Sequence, residues 1–284
     1  MKEIHKIILD IFKEVSKICE ENKISYFAIG GTCLGAIRHK GFIPWDDDLD
    51  IAIPIEDYQR FIDICKKCLP PKYTVFVPRD FKHNNLNFIK IIDNTTMLTQ
   101  KEFMQWKETY SGVWIDVMPI SGVPTDSKKR NRFIKKAWIH EWIGYKEKAS
   151  MKNQRKLIGK IAWIACRLPY YVFPKEYQWD KWMKMLLKYP LNESQYTGYV
   201  WSKNLKRLIF PTEWFSTTID VKFEDTTIKC PIGWHEYLTQ MFGDYMKLPP
   251  EEKRTSGHDF DGGCVDLKHS YKDYQDGKYE IRRD

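Results

Sequence analysis

The chain has 284 residues, 43% hydrophobic and 15% aromatic, enough apolar material for one large core or two closely packed subdomains, which excludes a disordered chain. Forty-six Lys and Arg against 38 Asp and Glu give a formal charge of +8, a field that favours anionic partners such as nucleotides, phosphorylated polymers or acidic lipid headgroups. Seven cysteines without compact disulfide spacing fit a reducing compartment, and the charged start Met1-Lys2-Glu3-Ile4-His5-Lys6 lacks a signal-peptide core, so a cytoplasmic location is expected.

Ile4, Ile7, Ile8, Ile11, Phe12, Val15, Ile18 and Cys19 recur at helical spacing and predict an amphipathic helix over about the first twenty residues. Residues 25–29 read as a short strand that runs into Gly30-Gly31-Thr32, where the chain turns before a helix through Leu34 and Ile37. After a loop at 41–44, residues 49–53 read as a buried strand, which Pro54 closes ahead of a helix over 55–69. Cys65-Lys66-Lys67-Cys68 has the spacing of redox and zinc sites, but it lies in that helix without a second pair and is assigned a structural role. Further strands are expected at 73–77, 87–92 and 112–117, the last ended by Pro119.

From 126 to about 189 the chain turns Lys- and Trp-rich and helical, with breaks near Ser150 and Pro174; its basic excess between Lys128 and Lys160 suits a solvated face or a binding patch. The apolar run at 157–173 is interrupted by Lys160 and Arg167 and is too broken to span a membrane. Lys156, Lys160, Trp163 and Arg167 leave two readings open, burial against the core or peripheral contact with the inner face of a membrane. Short β-like runs follow around Tyr199, Leu208 and Val221, then a helix over 234–242 and a polar tail. The order predicts an α+β (mixed α/β) class: a mixed sheet with flanking helices and a helical insertion. The expected division is a catalytic core at 1–125, a helical insertion or subdomain at 126–195, and a C-terminal region packing on the core at 196–284.

The chemistry concentrates in Trp45-Asp46-Asp47-Asp48-Leu49-Asp50. If the extended conformation begins by Asp46, then Asp46, Asp48 and Asp50 share one face, neighbours about 7 Å apart, while Asp47 and Leu49 point to the other. Carboxylates so placed repel each other, and a hard divalent cation, Mg²⁺ or Mn²⁺, relieves the repulsion. Asp116, in Trp114-Ile115-Asp116-Val117-Met118, sits among apolar residues and is the candidate third ligand; Asp93 is the weaker alternative. Glycines between strand and helix, as in Gly30-Gly31-Thr32, let backbone amides approach a phosphate at a helix N-terminus. Alone, the glycine turn is more often just a tight turn, and an isolated acidic run at least as often a solvated loop or a calcium ligand set. Together within about twenty residues, joined by Arg38 and His39, they point to phosphate chemistry.

Gly30-Gly31-Thr32-Cys33-Leu34-Gly35-Ala36-Ile37-Arg38-His39 and Gly41-Phe42-Ile43-Pro44-Trp45-Asp46-Asp47-Asp48-Leu49-Asp50-Ile51 resemble the LicD family, whose relatives include fukutin and fukutin-related protein. The likeness continues at Asp116 and in Tyr237-Leu238, Phe242-Gly243-Asp244-Tyr245-Met246 and Leu248-Pro249-Pro250-Glu251-Glu252-Lys253-Arg254. The resemblance implies a nucleotidyltransferase-like fold that moves a phospho-alcohol, typically phosphocholine, from a CDP-activated donor to a glycan hydroxyl; the related animal proteins use CDP-ribitol. By position it implies Asp48, Asp50 and Asp116 as metal ligands, Asp46 beside them, and Gly31 with Thr32 at the donor phosphates. Cys33 stands where a larger aliphatic or polar residue is expected, and Ser256-Gly257-His258 where adjacent histidines are, so His258 receives no role.

On this reading a metal-neutralised diphosphate is attacked in line by an acceptor hydroxyl and CMP leaves, with Asp46 the candidate general base. Arg38, His39 and Lys90 are candidates for phosphate contact. The expected partners are a CDP-alcohol, CDP-choline foremost, and a glycan or polyol-phosphate acceptor, free or lipid-linked, of the lipopolysaccharide, teichoic acid or capsule kind; nucleic acid is not expected. Rings around Trp106, Tyr110 and Trp114 suit a choline or sugar surface and equally the core. The competing readings are a true nucleotidyltransferase attacking the α-phosphate of an NTP, a glycosyltransferase using Asp-x-Asp, and a non-catalytic cation-dependent glycan-binding module.

Overall fold

The apolar stripe at the start of the chain forms α1 (Lys2–Glu21), which buries Ile4, Ile8, Ile11, Phe12, Val15 and Ile18 and leaves its charged residues in solvent. The computed structural model describes residues 1–80, 87–101, 104, 107–145, 161, 164–165, 172, 175–199, 208–256 and 263–281. After α1 come β1 (Phe27–Ala28), α2 (Gly30–His39), β2 (Asp50–Pro54) and α3 (Ile55–Cys68), in the order the sequence predicts. Next are β3 (Tyr73–Phe76), β4 (Ile89–Asp93), β5 (Met97–Thr99) and β6 (Trp114–Val123). Helices α4 (Ser127–Tyr145) and α5 (Lys175–Leu186) precede β7 (Tyr196–Gly198), β8 (Phe210–Pro211) and the hairpin β9 (Thr218–Phe223) to β10 (Thr226–Pro231). The chain continues through α6 (Trp234–Phe242), β11 (Cys264–Asp266) and α7 (Tyr271–Gln275).

Among the described residues a seven-stranded mixed sheet runs β1-β2-β6-β4-β3, and β7 with β8 extends it from the far end of β6. β2 and β6 are parallel and their other partners antiparallel, which places the chain in the α+β class. Ile51, Ala52 and Ile53 of β2 have no exposed surface, as expected of a strand covered on both faces. One apolar cluster links α1, β2 and β6 to Phe133, Ile134 and Ala137 of α4, Trp179 and Trp182 of α5, and Tyr237 and Leu238 of α6.

Pro119 does not end its strand. It lies inside β6, opposite Ile53 of β2. Asp116 N–H donates to Leu49 O on the β2 side, so the backbone of alternate residues, Pro119 included, faces the other side. There β4 has already left, its pairing with β6 ending at Ile89 opposite Val117, and β7 joins only from Ser121 onward. A residue with no N–H fits this gap without breaking a ladder. The Tyr58 hydroxyl fills the point of departure, donating to Val117 O at 2.6 Å and accepting from Ile89 N at 3.0 Å.

Strands β5, β10 and β11 and helix α7 were not expected; β5 and β11 form a small ladder of their own. Cys65 is buried and Cys68 exposed, both free thiols in α3. On α4, Lys128, Lys129, Lys135 and Lys136 are exposed, opposite the buried Phe133-Ile134 face. The readings at Trp106, Ser150, Lys156, Lys160, Trp163, Arg167, Pro174 and His258 lie outside the described residues. No helix among the described residues is long and apolar enough to cross a membrane.

Candidate active site

Three adjacent strands set a row of charges. The parallel register places Asp50 of β2 opposite Asp116 of β6, and the antiparallel register places Lys90 of β4 on the other side of Asp116. Residues in register point to one face of the sheet, with strands about 4.8 Å apart. Lys90 Nζ lies 3.2 Å from Asp116 Oδ1 and 3.7 Å above the Trp114 ring, so its charge is committed to the carboxylates from within the sheet. Asp116 is 6% exposed, and the Lys90 side chain 15%.

Asp46 and Asp48 reach this row by a different route from the one period-2 alternation predicts. Pro44 sits in a turn closed by Asp46 N–H to Ile43 O at 2.9 Å, and regular strand pairing starts only at Asp50. The segment between is irregular, so alternation does not apply and Asp47 is not turned away from its neighbours. Asp47 is 4% exposed, and the carboxylates of Asp46, Asp47 and Asp48 offer oxygens that all lie within 4.8 Å of one another.

Remote elements hold the acidic loop in place. A carbonyl only accepts, so His5 Nε2 of α1 carries the proton it gives to Asp46 O at 2.6 Å; its ring stacks on Phe42 at 4.2 Å. Glu224, at the tip of the β9–β10 hairpin, accepts from Phe42 N–H at 3.0 Å and donates its own N–H to Lys40 O at 2.8 Å. Single-sequence pattern gave no sign of either clamp, because both pair residues far apart along the chain.

The glycine turn faces the carboxylates. Gly30 has φ +54°, a conformation side chains rarely adopt. At Gly31 the need is space, since a Cβ there would stand 2.5 Å from Asp46 Oδ2. The preceding Ile29 supplies no side-chain cap to α2, which leaves its N-terminal end suited to an anion. Thr32 Oγ1 accepts from Asp50 N–H at 2.7 Å, tying that helix end to the carboxylate strand. Gly30 N–H itself is taken by the Tyr237 hydroxyl at 2.7 Å and so faces the interior of the fold.

Arg38 and His39 lie in the last turn of α2, about 12 Å of helical rise from Gly30. Arg38 Nε donates to His39 Nε2 at 2.9 Å and Arg38 Nη1 to Tyr245 O at 2.7 Å. Burial and the Arg38 charge push the His39 imidazole below its ordinary range, toward the neutral form. His39 then meets the Trp45 ring edge-on at 6.2 Å, and Arg254 stacks over Trp45 at 5.5 Å. The structure therefore brings Gly30, Gly31, Thr32, Asp46, Asp48, Asp50, Asp116 and Lys90 together and sets Arg38, His39 and Arg254 on a rim beside Trp45. Asp93 is elsewhere: buried, ion-paired with Lys72 at 3.1 Å, and bonded through Oδ1 to Thr95.

The electrostatics suit a cation. Burial, then the negative charges of Asp48, Asp116 and Asp46, push the Asp50 carboxyl well above its ordinary range, against only Lys90. Asp46 is raised by burial and by Asp47. Oxygen donors this close, with one lysine among them, fit a hard divalent ion. An open groove of about 900 Å³ lined by Phe27, Pro54, Asn192, Tyr196, Pro211 and Thr218 lies at the opposite end of β1 and β2 and includes none of these carboxylates.

Carboxylates on neighbouring strands of a mixed sheet, facing a Gly-Gly helix entry, define a phosphotransferase with a nucleotidyltransferase-type core. The family described as LicD/FKTN/FKRP, nucleotidyltransferase domain, matches residues 23–153. Over 270 residues the chain is 33% identical to the lipopolysaccharide cholinephosphotransferase LicD of Haemophilus influenzae, covering 91% of this chain and 96% of that protein. An uncharacterised protein of Rickettsia prowazekii is 38% identical over 82 residues, 22% of this chain and 31% of its own length. The chain belongs to the LicD family.

Proposed function

We propose that this phosphotransferase moves phosphocholine from CDP-choline to a hydroxyl of a lipopolysaccharide-type glycan and releases CMP. The observation that supports it most is the row Asp50, Asp116 and Lys90 across β2, β6 and β4 beside the Gly31-Thr32 helix entry. The named activity of the Haemophilus influenzae relative, which spans nearly the whole chain, supplies the alcohol and the acceptor class.

In this account Gly31 and Thr32 amides orient the donor diphosphate at the N-terminus of α2. Asp48, Asp50 and Asp116 are the residues to hold Mg²⁺ or Mn²⁺, with Asp47 a further oxygen source within reach of Asp48. Such an ion, when bound, neutralises charge on the phosphoryl oxygens. The acceptor oxygen forms its bond to the choline-bearing phosphorus, the bond from that phosphorus to the bridging oxygen breaks, and CMP departs with the electron pair. Asp46, kept more basic than an ordinary carboxylate by burial and Asp47, takes the hydroxyl proton. Lys90 steadies Asp116 from the opposite strand.

The test is incubation with CDP-choline, Mg²⁺ and a lipopolysaccharide lacking phosphocholine. CMP is expected to form in step with choline on the glycan, and Asp50→Asn to lose about a hundredfold or more of that rate. Pyrophosphate release from an NTP, without CMP from CDP-choline, would instead establish a true nucleotidyltransferase.

A further inference from the structure

The chemistry assigns no role to two tyrosines that lie behind the glycine turn. Tyr237 of α6 has no exposed surface and Tyr199, just after β7, is 6% exposed. Their hydroxyls are hydrogen-bonded to each other, and Tyr237 Oη accepts from Gly30 N–H at 2.7 Å. Both rings are fixed by packing: Tyr199 stacks on Phe210, and Tyr237 meets Phe210 and Phe215 edge-on at 5.0 and 5.4 Å. A donor or acceptor carried on such rings has little freedom to follow a moving backbone.

The consequence reaches the carboxylates in few steps. Gly30 adopts φ +54°, and its N–H is turned toward the interior, onto Tyr237. Gly31 and Thr32 follow directly, and Thr32 Oγ1 accepts from Asp50 N–H. A bonded path therefore runs from Tyr199 through Tyr237, Gly30 and Thr32 to Asp50. Burial keeps the Tyr199 phenol protonated and, against a lowering by its bond to Tyr237, the Asp50 charge adds to that. The two phenols share one hydrogen bond, and the Gly30 N–H supplies a further one to the Tyr237 oxygen.

We infer that Tyr237 and Tyr199 act as one positioning unit for this reaction, setting the Gly30 amide and through it the placement of the Gly31-Thr32 helix entry against Asp50. The inference rests on the phosphotransfer reading for its kinetic arm alone. A misplacement of about 1 Å at a reacting group costs on the order of a hundredfold in rate, whereas loss of a hydroxyl that serves only packing leaves turnover of the folded enzyme unchanged.

The experiment compares Tyr237→Phe, Tyr199→Phe and the double variant with Tyr271→Phe, which removes a buried hydroxyl from the separate cluster around Met97 and Tyr110. At a temperature where each is folded, Tyr237→Phe is expected to lose about a hundredfold, mainly in kcat for CDP-choline, and the double variant no more than Tyr237→Phe alone. Tyr271→Phe is expected to keep wild-type turnover. In protein labelled with ¹⁵N-glycine, which carries 15 probes, the Gly30 amide resonance should shift in both Tyr237→Phe and Tyr199→Phe and stay in place in Tyr271→Phe. A lowered Tm with unchanged kcat, or losses in the two single variants that multiply in the double, overturns the inference. If the wild type releases no CMP, the functional reading fails by itself, and an unmoved Gly30 resonance in Tyr237→Phe is then what overturns the positioning unit. Should Tyr237→Phe fail to fold, Tyr199→Phe answers both arms, since it leaves the Tyr237 hydroxyl in place.

Discussion

Asp50 ionises against burial and the charges of Asp48, Asp116 and Asp46. A carboxyl raised in the fold binds its proton more tightly there than in the unfolded chain, so stability is lost as pH rises through its range. On the proposed metal assignment, a divalent ion that binds the folded form alone would reverse that loss. At neutral pH, Asp50→Asn is therefore expected to raise the Tm of the metal-free protein and to abolish the further rise that Mg²⁺ gives the wild type, measured by differential scanning fluorimetry with and without chelator. A variant that unfolds sooner without metal, or still gains Tm from Mg²⁺, contradicts this assignment. At this scale Asp116 was legible from an acidic residue set in an apolar run, whereas the ion pair that Lys90, read as a phosphate contact, makes with it was not. Asp47 was not, because a strand period was applied to a segment that Pro44 turns, and His5 was not, because its partner lies 41 residues away.

The elements were more legible than their ends. α1, α3 and α6 follow from 3.6-residue periodicity, and β2 from its uniform apolar run. Pro119 misled because a proline's effect depends on which neighbour its backbone faces, and that is a property of the sheet. The pairing of α4 with α5 was equally invisible, though it carries a testable charge. His140 of α4 stacks on Trp182 of α5 at 4.8 Å and lies 3.1 Å from Asn87 Oδ1. Burial, with a smaller push from Lys181 and against a hydrogen bond with Gln178, lowers it to about 4. A depressed histidine contributes stability fully present above the unfolded value of 6.5 and lost as pH falls toward 4, a loss of up to about 3 kcal/mol. Acid titration of the folding free energy should show this limb, and His140→Gln should flatten it. An unchanged acid limb in His140→Gln would place the pH dependence elsewhere.

Across the whole molecule, the site is assembled from both ends of the chain. Residues 30–50 and 116 carry the proposed chemistry, α1 and the β9–β10 hairpin clamp the acidic loop, and α6 holds the glycine turn. The sequence shows the first group because its residues form a local motif; it hides the others because each acts through a single contact across the fold. The relative's similarity likewise extends over 91% of the chain, beyond the 23–153 segment that carries the family match. In the proposed reaction attack falls on the phosphorus next to choline, within this carboxylate row. CDP-choline labelled with ³²P at that phosphorus tests it most directly. With wild-type protein, Mg²⁺ and glycan acceptor, the label is expected to appear on the glycan together with choline, leaving CMP unlabelled. Label retained in free phosphocholine while cytidine monophosphate joins the glycan would contradict the account.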